Sequence, residues 1–287
     1  MDRPGSGAYG PFRVTPLGGA LGAAVEGVDL AGELPEETIG AIRQAWLDHV
    51  VLFFEDQPLE PAEFLRFARR LGDPVEYPFV KGLEDTPEVI AVTKLPHETV
   101  NFGGVWHTDS IYLARPPMAT LLVARQVPPS GGDTLWANLY AAYEALPGET
   151  KGRLEGLTGV NTSALADVSR TREARIQDAG RDASEAPAAL VAEHPVVRTH
   201  PETGRKALYV SPAHTARFGG WSEAESRPLL QRLFEHALQP RFTCRFRWQA
   251  GSLALWDNRC ALHFPMNDYH GHTRIMHRIS LAGDVPR

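Results

Sequence analysis

The apolar residues of this chain fall in short, unbroken runs fenced by turn-forming residues. Val50–Phe54, Val89–Thr93, Met118–Arg125, Ala207–Val210 and Leu253–Trp256 suit buried strands and are too short for buried helices. Phe12-Arg13-Val14 begins another strand, and Cys244–Trp248 alternates as a strand should. Helical spacing appears between these runs. Leu34-Pro35-Glu36-Glu37 reads as a helix start, with Pro at the first position and acids in the first turn, followed by Ile39, Ile42 and Trp46. Phe64, Phe67, Ala68 and Leu71 share a helix face that Gly72 ends, and Leu230, Leu233, Phe234 and Ala237 repeat the pattern. Leu139, Ala142, Tyr143 and Leu146 mark a short helix. The expected class is α+β, with an antiparallel sheet closed or sandwiched and helices packed outside.

The 287 residues are read as one domain, 1–287. Residues 1–11, rich in Gly and Pro, are expected to form a loose tail. Residues 161–195 are rich in Ala, Arg, Asp, Glu and Ser with little apolar periodicity, which suits either a lid over a pocket or a surface insertion. A net charge of −6 without a basic stripe argues against nucleic acid as a partner. No apolar run is long enough to span a bilayer, and the first residues lack a secretory pattern. Cys244 and Cys260 then read as reduced thiols of a cytoplasmic protein. The glycine-rich turn at Gly18–Ala23 lacks the strand–helix setting of a nucleotide loop and reads as structural.

Within Trp106-His107-Thr108-Asp109, an extended backbone projects His107 and Asp109 to one face. A neutral imidazole and a carboxylate are two of the three ligands of an open iron site. Alone, His-x-Asp is a common accident. His263 lies far downstream, and Thr134 follows the turn Gly131-Gly132-Asp133. Arg274 and Arg278 share one face of the last strand because four is an even step, with His277 on the other. Each also has an ordinary reading: a core histidine, a strand threonine, arginines at the solvated end of an edge strand.

Taken together, Trp106-His107-Thr108-Asp109, Gly131-Gly132-Asp133-Thr134-Leu135-Trp136, Trp256-Asp257-Asn258-Arg259 and Arg274-Ile275-Met276-His277-Arg278 resemble the TauD/TfdA family of iron(II)- and 2-oxoglutarate-dependent dioxygenases. The resemblance runs from about residue 12 to 283. It implies a double-stranded β-helix, or jelly-roll, core with flanking helices. It implies Fe(2+) held by His107, Asp109 and His263, with three positions left for 2-oxoglutarate and O2. Arg274 would pair with the far carboxylate of 2-oxoglutarate through its planar fork, Thr134 would donate a hydroxyl hydrogen bond to it, and Arg278 would steady it or grip an anionic substrate.

The implied reaction hydroxylates, or oxidatively cleaves, a small, anionic organic substrate while 2-oxoglutarate becomes succinate and CO2. Asp109 sets hydroxylation or cleavage ahead of halogenation. Taurine-oxidising relatives hold the sulfonate with a His and an Asn, but Tyr77 and Gly103 stand at those positions here, which speaks against taurine. Tyr77, Gly103, Ser110, His214 and Phe218 are the candidate substrate residues. Trp106, Trp136 and Trp256 are read as core filling, and Asp257 and Asn258 as turn formers without chemistry. The alternatives are a non-redox, metal-dependent hydrolase and a catalytically silent binding protein on the same fold. The resemblance also suggests a homo-oligomer.

Overall fold

The computed structural model describes residues 9–165 and 189–287. The first part runs β1 (Arg13–Pro16), β2 (Ala23–Glu26), α1 (Glu36–His49), β3 (Val51–Phe54), α2 (Pro61–Leu71), β4 (Pro74–Val75), β5 (Ile90–Lys94), β6 (Ala119–Gln126), β7 (Thr134–Asn138), α3 (Leu139–Glu144), α4 (Gly148–Leu154) and β8 (Thr158–Thr162). The second runs β9 (Val191–Pro195), β10 (Val197–Thr199), β11 (Lys206–Leu208), β12 (Thr215–Phe218), α5 (Glu223–Ala237), β13 (Thr243–Phe246), β14 (Leu253–Asp257), β15 (Ala261–Pro265) and β16 (Arg274–Leu281).

Two sheets matter for the site. The larger has the order β1-β2-β3-β14-β6-β16-β4, with β5 also pairing with β16. The smaller is β13-β7-β15. The expected antiparallel pairing has one exception, the parallel pair β2–β3. Helix α1 connects those two strands, and a crossover helix is what brings consecutive strands parallel.

The continuous apolar runs resolve into two faces. On β3, β6 and β14, the residues Val51, Phe53, Leu122, Ala124, Ala254 and Trp256 point towards the smaller sheet, where Phe53 and Trp256 pack with Trp136 and Phe53 stacks on Phe246. Their neighbours Leu52, Phe54, Leu121, Val123, Leu253 and Leu255 point the other way, against Ile42 and Trp46 of α1 and Phe64 and Phe67 of α2. A sheet covered on both faces needs apolar residues at every step, which is why alternation was invisible there. The fold is thus a mixed α/β arrangement rich in strands. Among the described residues no helix is long and apolar enough to cross a membrane.

Two expected boundaries are corrected. Tyr9, assigned to the loose tail, is buried, and its hydroxyl donates to Asp48 Oδ2 at 2.9 Å on α1. Residues 1–8 of that tail lie outside the described residues. The stretch 161–195 is not all lid or insertion, because its two ends belong to β8 and β9, which pair antiparallel from Thr158↔Pro195 to Thr162↔Val191. Polar residues fall on both faces of that pair, with Asn161 and His194 buried and Glu193 exposed, so no apolar rhythm marks the strands. The remainder, 166–188, lies outside the described residues.

Candidate active site

The site opens between the two sheets, where inward-facing residues of β6, β7, β14, β15 and β16 converge with the loop carrying His107 and Asp109. His107 and His263 are locked across this gap by main-chain hydrogen bonds. His107 N donates to His263 O at 3.0 Å, and His263 N donates to His107 O at 2.7 Å. The imidazole centroids lie 4.0 Å apart. Asp109 Oδ1 stands 3.7 Å from His107 Nε2 and 4.0 Å from His263 Nε2. The three ligand atoms fall within 4.8 Å of one another, close enough to share one ion.

The protonation states suit a cation. His107 Nδ1 lies 2.7 Å from Val105 O, and a carbonyl only accepts, so the proton sits on Nδ1 and the Nε2 lone pair is free. Burial lowers the pKa of both imidazoles and keeps them neutral. Burial alone would raise the Asp109 carboxyl, but the Arg278 guanidinium and the hydrogen bond from Thr120 hold it well below the usual carboxylate range. Arg278 Nη2 sits 3.0 Å from Asp109 Oδ1. Gly103 passes over His107: a Cβ there would stand 2.7 Å from His107 Cε1, and φ is +74°. Only glycine combines that approach with that backbone.

A cleft of about 430 Å³ beside the triad is lined by Thr134, Trp256, His263, Arg274 and Arg278 among others. Arg274 is buried, and its Nε and Nη2 have no hydrogen-bond partner. Burial pushes its guanidinium below its ordinary range. Thr134 Oγ1 accepts from Trp248 Nε1 at 2.9 Å, which leaves its own hydrogen to point elsewhere. A buried guanidinium with idle donors beside a hydroxyl donor is a receptor for a carboxylate.

A second cleft shares His107, Asp109 and Arg278 and is walled by Tyr77, Phe79, Phe102, Tyr112 and Val105. Of the sequence-predicted substrate residues, Tyr77, Gly103, Ser110 and His214 line it. Phe218 does not. It is fully buried on β12, packed at 5.3 Å against Trp221, where a shift of register between Thr215 and Arg217 interrupts the strand's alternation. Burial lowers the pKa of His214 to about 3, and burial raises those of Tyr77 and Tyr112. Among its described lining residues the pocket offers neutral side chains, the cation Arg278 and the ionised Asp109 beside it.

Several contributors had no signal in the sequence. Phe79, Phe102 and Tyr112 reach the pocket from loops. Thr120, inside an apolar run, donates to Asp109 Oδ2 at 2.6 Å. Asn258 is more than a turn former, since its Nδ2 donates to Thr120 Oγ1 at 2.9 Å. Asp257 binds Arg259 and His200 in a buried cluster. Cys260 is a buried thiol.

The donor set of two neutral imidazoles and one ionised carboxylate fits a divalent iron, and the idle Arg274 donors fit a dicarboxylate beside it. A family model described as taurine catabolism dioxygenase TauD, TfdA family, matches residues 13–280. The chain belongs to the TauD/TfdA family. An alpha-ketoglutarate-dependent sulfate ester dioxygenase of Pseudomonas putida is 34% identical over 275 residues, covering 95% of this chain and 90% of that protein. An alpha-ketoglutarate-dependent 2,4-dichlorophenoxyacetate dioxygenase of Cupriavidus pinatubonensis is 35% identical, with coverages of 86% and 90%. The crystal structure of a taurine dioxygenase from Burkholderia xenovorans superposes with a TM-score of 0.79 at 36% identity, covering 96% of this chain and 90% of that one. As a TauD/TfdA protein this chain is a 2-oxoglutarate-dependent oxygenase that uses Fe(II), 2-oxoglutarate and O2, and neither alternative on this fold is favoured.

Proposed function

We propose that this oxygenase hydroxylates, or by hydroxylation cleaves, a small organic anion with an apolar body. The observation that carries the substrate class is the pairing of Arg278 with aromatic walls. Its guanidinium lies 5.0 Å from the Tyr77 ring centroid and faces a cleft whose other described walls are largely apolar. An anionic head on Arg278 would leave the organic portion against Tyr77, Phe79, Phe102 and Tyr112, with Ser110 and His214 as hydrogen-bonding groups. The sulfate ester and phenoxyacetate relatives, both named for anions with apolar portions, support this reading.

Taurine fits less well. Its ammonium needs an acceptor, and the acid among the described lining residues is Asp109, a metal ligand.

In this reading His107, Asp109 and His263 hold the iron, while Arg274 and Thr134 hold the distal carboxylate of 2-oxoglutarate. Iron with 2-oxoglutarate supplies the oxidising power, yielding succinate and CO2. The chain supplies placement, a fixed negative ligand and exclusion of water. The two sheets facing across the site support a double-stranded β-helix core, and a match over nearly the whole chain supports a single domain. Cys244 and Cys260 as reduced thiols would suit a reducing cytoplasm.

The test is a panel of alkyl sulfates, alkanesulfonates, phenoxyacetates and taurine, assayed under air with Fe(II), ascorbate and 2-oxoglutarate. Succinate and oxidised product are both measured. An apolar anion should give the highest kcat/KM, with succinate and product in equal amounts. Taurine as the best substrate would overturn the assignment, as would zinc-supported hydrolysis without 2-oxoglutarate.

A further inference from the structure

The two carboxylate oxygens of Asp109 have different surroundings. Oδ1 faces both Nε2 atoms and lies 3.0 Å from Arg278 Nη2. Oδ2 accepts the short bond from Thr120 Oγ1 at 2.6 Å. The direction of that bond is fixed from behind. Trp256 Nε1 can only donate, and it donates to Asn258 Oδ1 at 2.9 Å. The amide nitrogen of Asn258 is therefore the end that meets Thr120, donating to Oγ1 at 2.9 Å. The single hydroxyl hydrogen of Thr120 is left for Asp109. All four side chains belong to buried residues, with Thr120 and Asn258 fully enclosed. Thr108 Oγ1 further pins the Asn258 main chain, donating to its carbonyl at 2.8 Å.

We propose that Thr120, aimed by Asn258, keeps Asp109 a one-oxygen ligand and so preserves three open positions on the iron. The inference rests on the iron-site reading above. A carboxylate with both oxygens free can grip a metal through both. With Oδ2 engaged by a short, charge-assisted bond, a second metal contact would forfeit that bond. The co-substrate needs two neighbouring positions and O2 a third. A chelating Asp109 would compete for one of them. Thr120 and Asn258 are thus positioning residues.

The experiment measures Mn(II) affinity, then 2-oxoglutarate binding to the Mn(II)-loaded protein by calorimetry under nitrogen. It compares wild type with Thr120→Val, Thr120→Ser and Asn258→Asp. Wild type that binds neither Mn(II) nor 2-oxoglutarate would overturn the iron-site reading and this proposal with it. Given wild-type binding, Thr120→Val should keep most of its Mn(II) affinity but lose about tenfold or more in 2-oxoglutarate affinity. Thr120→Ser should restore it. Asn258→Asp keeps the shape but presents an acceptor, turns the Thr120 hydrogen away from Asp109, and should match Thr120→Val. Three results would overturn the role while leaving the iron site standing. They are wild-type 2-oxoglutarate affinity in Thr120→Val or Asn258→Asp, an equal loss in Thr120→Ser, and a loss of Mn(II) affinity in Thr120→Val as large as that of 2-oxoglutarate.

Discussion

Replacing Arg274 with methionine should have opposite effects on the empty and the loaded protein. Without ligand, Arg274 is a buried guanidinium whose Nε and Nη2 have no hydrogen-bond partner. An unpaired buried charge is a cost, so removing it while keeping apolar bulk should leave stability unchanged or raised. With 2-oxoglutarate, the same groups complete a charge-assisted pair. Truncating one side of such a buried pair costs about 2–5 kcal/mol, or roughly 30-fold to several-thousand-fold in affinity. The assay is thermal unfolding with Mn(II), with and without 2-oxoglutarate. At a concentration 100 times the wild-type Kd, the ligand should add about 2.7 kcal/mol to wild type. At about 2–4 °C per kcal/mol for a chain of this size, the midpoint should rise by roughly 5–11 °C. At that concentration Arg274→Met should gain less than about 1 kcal/mol. An undiminished ligand-induced rise would refute the carboxylate role. A ligand-free midpoint many degrees below wild type would refute the idle-cation argument.

Trp248→Phe removes the N–H that directs the Thr134 hydroxyl; loss of one aimed hydrogen bond, about 1 kcal/mol, should raise KM for 2-oxoglutarate about fivefold with kcat little changed, as steady-state kinetics would show. Gly103→Ala forces a Cβ against His107 Cε1 and a left-handed φ on an L residue, so Mn(II) affinity should fall at least about tenfold, measurable by paramagnetic resonance of the free ion. Burial alone would raise the Asp257 carboxyl, but Arg259 and His200 depress it well below its usual range, so the unfolded chain takes up its proton first. Its stabilisation should therefore be complete above about pH 4 and fade as pH falls further. The urea-midpoint gap between wild type and Asp257→Asn should shrink from pH 7 to pH 3, and a constant gap would contradict the network.

What could be read from the chain alone was whatever a fixed period encodes. Alternation puts His107 with Asp109, and Arg274 with Arg278, on shared faces. Thr120 escaped because a doubly covered strand has no polar–apolar rhythm to mark which side looks into the site. Asn258 looked like a turn former because its partner is far away in sequence. Phe79, Phe102 and Tyr112 come from irregular loops, whose paths no short-range pattern specifies. Phe218 lies outside the pocket because β12 shifts register, which no period in the sequence marks. Strands β8 and β9 carry polar residues on both faces, Asn161 and His194 among the buried ones, so no apolar rhythm marks them.

The main-chain clasp between His107 and His263 has a practical outcome. Its donors and acceptors are peptide groups, so they survive when either imidazole is cut back to a methyl. An alanine variant at position 107 or 263 should thus be a faithful cast of the enzyme that has lost its grip on iron. Such an inert decoy would still dock the dicarboxylate through Arg274 and the organic anion through Arg278, long enough to capture and identify whatever molecule this oxygenase consumes.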